Sequence, residues 1–159
     1  MKAAWRIATD TPRYTADDLT GAGAKATGGR WNSKGNAMLY CAMSIALANL
    51  ETVVHLAAGG LPLNRYLVRV DIPDALWAAR QELTDRTAAV GWDALPPGRT
   101  SIGYGDAWLA GLASAVLCVP SIVVPEEQNV LINPLHRDAG KITATKLRRW
   151  QYDPRLAAT

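Results

Sequence analysis

Apolar and polar positions repeat along the chain with two different periods, and these periods predict its elements. Residues 66–72 alternate apolar side chains with Arg69 and Asp71, which is typical of a half-buried strand. Residues 44–58 instead place apolar side chains at helical spacing, which predicts a helix. The other apolar runs predict further strands at 5–7, 37–41, 117–124, 129–133 and 142–152.

Shorter elements are predicted from capping residues and glycines. We expect a helix over 15–19 with Thr15 as N-cap, one within 76–92, and one from Asp106 as N-cap to about 115. The glycine-containing stretches 21–25 and 101–105 are predicted to be loops.

The order of these elements indicates the fold class. Several strands follow one another without regular helical crossovers, so the order favours α+β over a doubly wound parallel sheet. We therefore predict a mainly antiparallel β core flanked by helices. Because no repeat or linker divides the 159 residues, a single domain over 1–159 is expected.

Composition narrows the class of protein. Apolar residues make up 49% and charged residues 19% of the chain, as in ordinary globular proteins. A net charge of +3 is too small to argue for nucleic-acid binding by itself, and no segment is long and apolar enough to span a membrane. Cys41 and Cys118 stand singly in apolar surroundings, which predicts buried thiols, no zinc or disulfide site, and a cytoplasmic protein.

A glycine-framed loop carries the first candidate chemistry. Residues 28–35 hold glycines at 28, 29 and 35, which allow the backbone to approach a ligand closely. Between them, Arg30 offers a permanently charged fork that suits carboxylates and phosphates. Trp31 follows it, and Tyr40 closes the next predicted strand. This combination predicts the rim of a pocket for an anionic ligand that contains a ring.

The helix after this loop supplies a carboxylate. On a helical wheel Glu51 lies about 40° from Leu47 and about 60° from Val54, within or beside the apolar stripe. A carboxylate placed there must be paired or used, because burying it alone is expensive. From the residues alone two interpretations stay open: a structural bridge to Arg30 or another cation, and a functional group.

Several motifs together resemble the RES domain, a family named for an arginine, a glutamate and a serine. The first block comprises Gly-Gly-Arg-Trp-Asn at 28–32 with Gly35, Leu-Tyr at 39–40, Leu-Glu at 50–51 and His-Leu at 55–56. The second comprises Tyr-Gly-Asp-Ala-Trp at 104–108, Val-Pro-Ser at 119–121, the run 129–136, and an aromatic-Asp-x-Arg-Leu pattern at 152–156. The naming residues would be Arg30, Glu51 and Ser121.

The resemblance implies a fold, an activity and partners. The fold would be similar to that of ADP-ribosyltransferases, with NAD⁺ as substrate and no separate cofactor or metal. The protein would be the toxin of a toxin–antitoxin pair, with an antitoxin that carries an Xre-type helix-turn-helix. DNA would be reached only through that antitoxin, no membrane would be involved, and the toxin could form a homodimer.

The resemblance also implies roles for individual residues. Glu51 would stabilise the oxocarbenium-like transition state, because loss of neutral nicotinamide needs no general acid. Arg30 would grip the diphosphate and Tyr40 would stack on the cationic nicotinamide ring, completing the predicted catalytic set. The predicted substrate-binding residues are Arg6, Trp31, Ser121 and Asn129; of these, Ser121 and Asn129 would contact substrate or hold Glu51.

The activity itself stays open between several alternatives. NAD⁺ would be hydrolysed or cleaved by phosphate, or its ADP-ribose would be transferred to a cellular protein. A weaker alternative is a nucleic-acid-binding or RNA-degrading toxin that uses the basic residues of the segment 146–149. A catalytically silent interaction module is disfavoured by the intact set of Arg, Tyr, Glu and Ser.

Overall fold

The computed structural model describes residues 1–56 and 60–156, and in them seven strands form one sheet. Its order is β4-β5-β6-β2-β1-β3-β7, and all neighbours are antiparallel except the parallel pair β4 and β5. The predicted α+β class with a mainly antiparallel sheet is confirmed. The strands are β1 Lys2–Thr9, β2 Leu39–Ala42, β3 Arg65–Ile72, β4 Gln81–Glu82, β5 Val116–Pro120, β6 Gln128–Ile132 and β7 Thr143–Trp150.

The helices are short apart from one. They are α1 Ala22–Thr27, α2 Ile45–Val53, α3 Asp74–Ala78 and α4 Arg99–Gly111, with 3-10 turns at Ala139–Lys141 and Pro154–Leu156. Within the described ranges, none of the helices is long and apolar enough to cross a membrane.

The first helix was predicted in the wrong place. Residues 15–19 contain only a turn at 16–17, and α1 instead covers most of the stretch 21–25 that we expected to be a loop. Alanine at alternate positions favours the helix there. Gly21, with φ of 72°, precedes it in a left-handed conformation, and a Cβ at this position would lie 2.8 Å from the backbone nitrogen of Met38.

The predictions for the fourth helix were also wrong. Residues 101–105 are helical rather than a loop, and Asp106 lies in the middle of α4 rather than at its N-cap. A close contact explains why the helix has a glycine at position 105: a Cβ on Gly105 would lie 1.7 Å from the carbonyl oxygen of Trp31. The helix therefore packs directly on the backbone of the glycine-framed loop.

The helix that carries Glu51 is shorter than predicted. Ser44 caps it, since its side chain accepts a hydrogen bond from the backbone nitrogen of Leu47 at 3.1 Å. The helix ends at Val53, with Val54 as its C-cap, whereas the sequence predicted an end near 58. Position 58 itself lies outside the described residues. Leu47 and Ala48 form its buried side.

The core lies on both faces of the sheet. On β5, Val116 and Cys118 pack into one hydrophobic cluster while Leu117 and Val119 pack into another, so this strand is buried on both sides. Cys41 and Cys118 are both buried free thiols, as predicted, and burial raises the pKa of each to about 11. A continuous apolar run such as 116–119 is what a doubly covered strand requires.

Candidate active site

Glu51 is held by two side chains that come from distant parts of the chain. The Ser121 hydroxyl donates to Oε1 of Glu51 at 2.6 Å, and Nδ2 of Asn129 donates to the same oxygen at 2.6 Å. Ser121 directly follows β5 and Asn129 lies on the neighbouring β6, where it pairs with Val119. The sheet therefore brings both donors to the side on which α2 packs.

The Ser121 hydroxyl makes all three of the hydrogen bonds that a hydroxyl group can make. Its oxygen donates to Glu51 and accepts hydrogen bonds from the backbone nitrogens of Val123 and Val124, each at 3.1 Å. The residue is completely buried. Ser121 was predicted to begin a strand, but it follows the end of β5 in a turn, where its hydroxyl satisfies two backbone N–H groups. Its position is that of a residue that holds Glu51.

Asn129 and Glu51 each keep one oxygen without a partner. Oδ1 of Asn129 is buried and accepts no hydrogen bond within 1–56 and 60–156. Both hydrogen bonds to the Glu51 carboxylate end on Oε1, and Oε2 accepts none from the described residues. One carboxylate oxygen is thus fixed by two donors while the other is left as an acceptor.

Arg30 ties the glycine-framed loop to the segment before α4. Its Nη1 donates to the carbonyl oxygens of Trp92 and Ala94, both at 2.9 Å. Burial lowers the pKa of Arg30, and the nearby charges of Glu51 and Asp93 oppose that shift. No nitrogen of Arg30 lies within 4.0 Å of the Glu51 carboxylate in the described structure, so a direct bridge between them is not formed.

Tyr40 stabilises the same loop through its hydroxyl. It accepts a hydrogen bond from the backbone nitrogen of Trp31 at 3.0 Å and donates to Oδ1 of Asn32 at 2.6 Å. Burial strongly raises the pKa of Tyr40, so the phenol stays protonated as a donor. A Cβ on Gly29 would lie 2.7 Å from this hydroxyl, which explains the glycine at that position.

Trp31 is a core residue in this structure. Only 2% of it is exposed, and its ring stacks on Trp92 at 6.2 Å and meets Tyr104 edge-on at 6.1 Å. We expected Trp31 at the rim of a pocket, whereas its side chain is buried in a hydrophobic cluster with Trp92 and Trp108. Its contact with substrate stays a prediction.

Asn32 and Asp106 are site-supporting residues that the sequence analysis missed. Nδ2 of Asn32 donates to the carbonyl oxygens of Ala24 and Asn36, both at 2.9 Å. Asp106 accepts from the backbone nitrogen and hydroxyl of Ser33, at 3.0 and 2.5 Å, and from Nδ2 of Asn36 at 2.9 Å. Both residues lie inside the motifs at 28–32 and 104–108 that resemble the RES domain, and nothing else in the sequence indicated their role.

Competing effects act on the Asp106 carboxylate. Burial acts to raise its pKa, but the hydrogen bonds from Ser33 and Asn36 outweigh burial, and the pKa is lowered. Asp106 is therefore ionised at neutral pH and fixes the second half of the glycine-framed loop against α4.

Arg6 lies on β1 and is partly buried. Its guanidinium donates weakly to the carbonyl oxygen of Asp18 at 3.5 Å, and its buried Nε has no partner within the described part of the chain. Trp5 and Ile7 beside it on β1 pack with Leu47 of α2, so the side chain of Arg6 leaves the sheet on the opposite face from that helix. Among the described residues, no three His, Cys, Asp or Glu side chains form a group suited to a metal ion.

The chain matches known proteins over nearly its whole length. The family model for the RES domain matches residues 3–154. A protein of Sphingobium sp. (strain YBL2) named "Prs ADP-ribosylating toxin" is 59% identical over 152 residues, covering 96% of this chain and 94% of that protein. A "Toxin Res" of Yersinia enterocolitica is 37% identical over 145 residues, covering 91% of this chain and 93% of its own length.

Among solved structures, one similar chain comes from the crystal structure of the M. tuberculosis MbcT–MbcA toxin–antitoxin complex. Its TM-score is 0.66 at 16% identity, and the match covers 92% of this chain and 84% of that one. This similarity concerns the fold. The family model and the two relatives show the family: the chain belongs to the RES-domain toxin family.

Proposed function

We propose that this protein is an NAD⁺-consuming enzyme that cleaves the bond between nicotinamide and ribose, with Glu51 as its central catalytic residue. The observation that carries the proposal is the asymmetric bonding of the Glu51 carboxylate. Two donors hold Oε1 at 2.6 Å, while Oε2 accepts no hydrogen bond from the described residues. A fixed carboxylate with one open oxygen can face a developing positive charge without first reorganising.

The chemistry needs only one carboxylate. When the glycosidic bond breaks, its electron pair goes to the pyridinium nitrogen, which leaves as part of neutral nicotinamide. The ribose carbon becomes oxocarbenium-like, and Glu51 stabilises its charge through Oε2. An acceptor oxygen or nitrogen then bonds to that carbon and releases a proton. Because the leaving group is neutral, no second carboxyl group has to protonate it, unlike ordinary glycoside hydrolysis.

Two further residues are proposed to bind the dinucleotide. Nη1 of Arg30 is used by two carbonyl oxygens, but Nη2 has no partner within 1–56 and 60–156 and would bind the diphosphate. Arg6, expected from the sequence to assist it, leaves the sheet on the face opposite α2 and is not included. Tyr40 would present its ring to the nicotinamide, since its hydroxyl is already bonded within the loop.

The acceptor is proposed to be a protein. The relative that is 59% identical is named as an ADP-ribosylating toxin, and this favours transfer of ADP-ribose over the simple cleavage that we put first from the sequence. The name also gives Prs as the target of that relative, which makes Prs the first acceptor to try here. Hydrolysis and cleavage by phosphate are the second candidates, because both use the same Glu51 chemistry.

The nucleic-acid alternative loses support from the charges of β7. Lys146 pairs with Asp10 at 2.8 Å and lies over the ring of Tyr66, and Arg148 lies over the ring of Trp150 at 4.8 Å. Lys146 and Arg148 are therefore engaged within the protein, and Arg149 is the one cation of this segment that is exposed without a side-chain contact to the described residues.

The proposed partners follow from the family and from the solved complex of the related fold. We propose a cognate antitoxin with an Xre-type helix-turn-helix, and contact with DNA only through it. A homodimer of the toxin and a cytoplasmic location belong to the same proposal. Co-expression with the neighbouring gene product, followed by purification of the complex, would test the partner.

The decisive experiment follows nicotinamide release from NAD⁺ with purified protein and with Glu51→Gln. Glutamine keeps the shape and an acceptor oxygen for Ser121 and Asn129 but removes the charge. We expect release with the wild type and a loss of at least about a hundredfold with the variant. Buffers with water alone, with phosphate and with purified Prs identify the acceptor, and mass spectrometry detects ADP-ribose on Prs. Equal release by both proteins, or none with any acceptor, would overturn the proposal.

A further inference from the structure

We infer that the C-terminal segment 150–152 positions Glu51 by holding a neighbouring flank of α2, so that Trp150 and Tyr152 are positioning residues for the reaction. This inference rests on the proposed role of Glu51 as the catalytic carboxylate. Neither aromatic residue is among the side chains that bond the carboxylate itself.

A chain of hydrogen bonds joins this segment to α2. The Tyr152 hydroxyl donates to Oγ1 of Thr52 at 2.8 Å, and Thr52 in turn donates to the carbonyl oxygen of Asn49 at 2.8 Å. Nε1 of Trp150 donates to Oδ1 of Asn49 at 3.1 Å. Two polar residues that flank Glu51 in sequence are therefore both held by the same short segment.

The hydrogen bonds from segment 150–152 and those to the Glu51 carboxylate are made on different flanks of α2. On the helical wheel Thr52 lies about 100° and Asn49 about 160° from Glu51, so these hydrogen bonds hold a different flank of the helix from the one that carries the carboxylate. Ser121 and Asn129 hold the carboxylate from its own side. A rotation of α2 would break bonds on both sides at once, so its orientation is determined by the two together.

The helix depends on such contacts because it is short. With nine residues α2 is below the length at which a helix is stable by itself in water. It ends at Val53, two residues after Glu51, where helices fray. Tyr152 is 6% exposed and packs with Leu47 and Ala48 of the helix, so its ring supplies the packing and its hydroxyl supplies the orientation.

The inference is tested with variants that remove single polar groups. Tyr152→Phe and Thr52→Val each break the bond between these two residues, whereas Thr52→Ser keeps it. Tyr14→Phe is the matched control, because it deletes a phenol hydroxyl that lies beside Gly23 and away from α2. We expect Tyr152→Phe and Thr52→Val to lower kcat about tenfold with KM nearly unchanged, as for a displaced catalytic group. Thr52→Ser and Tyr14→Phe should keep wild-type kcat.

A second readout separates this inference from the proposed function. Amide hydrogen exchange of residues 50–54 should become at least about tenfold faster in Tyr152→Phe, while exchange in β1 and β3 stays unchanged. If the wild type releases nicotinamide, an unchanged kcat in Tyr152→Phe and Thr52→Val overturns the inference. If the wild type shows no turnover of NAD⁺, the proposed function fails, and the exchange of residues 50–54 alone decides: unchanged exchange overturns the inference.

Discussion

The Ser121 hydroxyl lies 2.6 Å from Oε1 of Glu51, although the two residues are 70 positions apart in the chain. The oxygen of the Ser121 hydroxyl also accepts hydrogen bonds from the backbone N–H groups of Val123 and Val124. One hydroxyl thus connects the turn after β5 to the carboxylate on α2, and its removal affects both the stability of the turn and the placement of the carboxylate.

Ser121→Ala is therefore expected to lower both activity and stability. The variant leaves two partly buried backbone N–H groups without their acceptor, which should reduce the free energy of unfolding by about 1–3 kcal/mol. It also releases Glu51 from one of its two donors, which should lower kcat about tenfold to a hundredfold. Urea unfolding and steady-state nicotinamide release measure the two effects.

Ser114→Ala is the matched control for this prediction. Ser114 is also a buried serine, which accepts from Nε1 of Trp108 at 2.9 Å and donates to the carbonyl oxygen of Val116 at 3.0 Å. It should lose similar stability but keep its kcat. If both variants lose kcat in proportion to stability, the special role of Ser121 is refuted.

Asn129→Leu is expected to do the opposite of Ser114→Ala: it should keep the stability of the protein and lower kcat. Leucine has nearly the shape of asparagine, and Oδ1 of Asn129 is already buried without a partner in the described structure. Stability should therefore change by no more than about 1 kcal/mol. Loss of the 2.6 Å bond to Glu51 should nevertheless lower kcat about tenfold or more. Wild-type kcat in a folded Asn129→Leu protein would show that Ser121 alone is sufficient to hold the carboxylate.

The strands were predictable because each carries its own pattern. Residues 66–72 were predicted from alternation and form β3 Arg65–Ile72, and 142–152 form β7 Thr143–Trp150. Burial against one or both faces of the sheet imposes that pattern locally. The helix α1 and the first half of α4 were missed, because Gly21 before α1 and Gly105 within α4 were taken as loop residues. Both glycines are explained by close approaches to Met38 and Trp31, which are distant in the chain.

The candidate site shows the same division. Periodicity placed Glu51 within or beside the apolar stripe of its helix. It did not decide whether the carboxylate forms a structural bridge to a cation or is a functional group. The partners are Ser121 and Asn129, which β5 and β6 bring together through the pairing of Val119 with Asn129. Only the resemblance to the RES domain pointed to these two residues, because no local pattern records a contact across 70 positions.

The Asp106 carboxylate predicts a pH dependence of stability. Its pKa in the folded protein is lowered, because its hydrogen bonds from Ser33 and Asn36 outweigh the opposing effect of burial. In the unfolded chain the value is about 3.9. The stabilisation is therefore fully present above about pH 4 and is lost as the pH falls through the folded pKa.

Asp106→Asn should accordingly be less stable than the wild type at pH 7, by about 1–3 kcal/mol. The difference in the free energy of unfolding should narrow as the pH falls below about 4. Urea unfolding across this range measures it. Asp85→Asn serves as the control, since Asp85 is exposed and its side chain makes no hydrogen bond within the described residues. A difference for Asp106→Asn that stays constant with pH would refute the argument.

Two glycines of α4 predict opposite effects of the same substitution. A Cβ on Gly105 would lie 1.7 Å from the carbonyl oxygen of Trp31, so Gly105→Ala must displace the helix or the loop and should cost about 3 kcal/mol. Gly103 is exposed on the same helix, and a Cβ there meets nothing within 4 Å. Gly103→Ala should instead raise stability by about 0.5–1 kcal/mol, because alanine favours the helix. Thermal and urea unfolding of both variants measure the contrast. Equal effects at the two positions would mean that α4 does not pack directly on the backbone of Trp31.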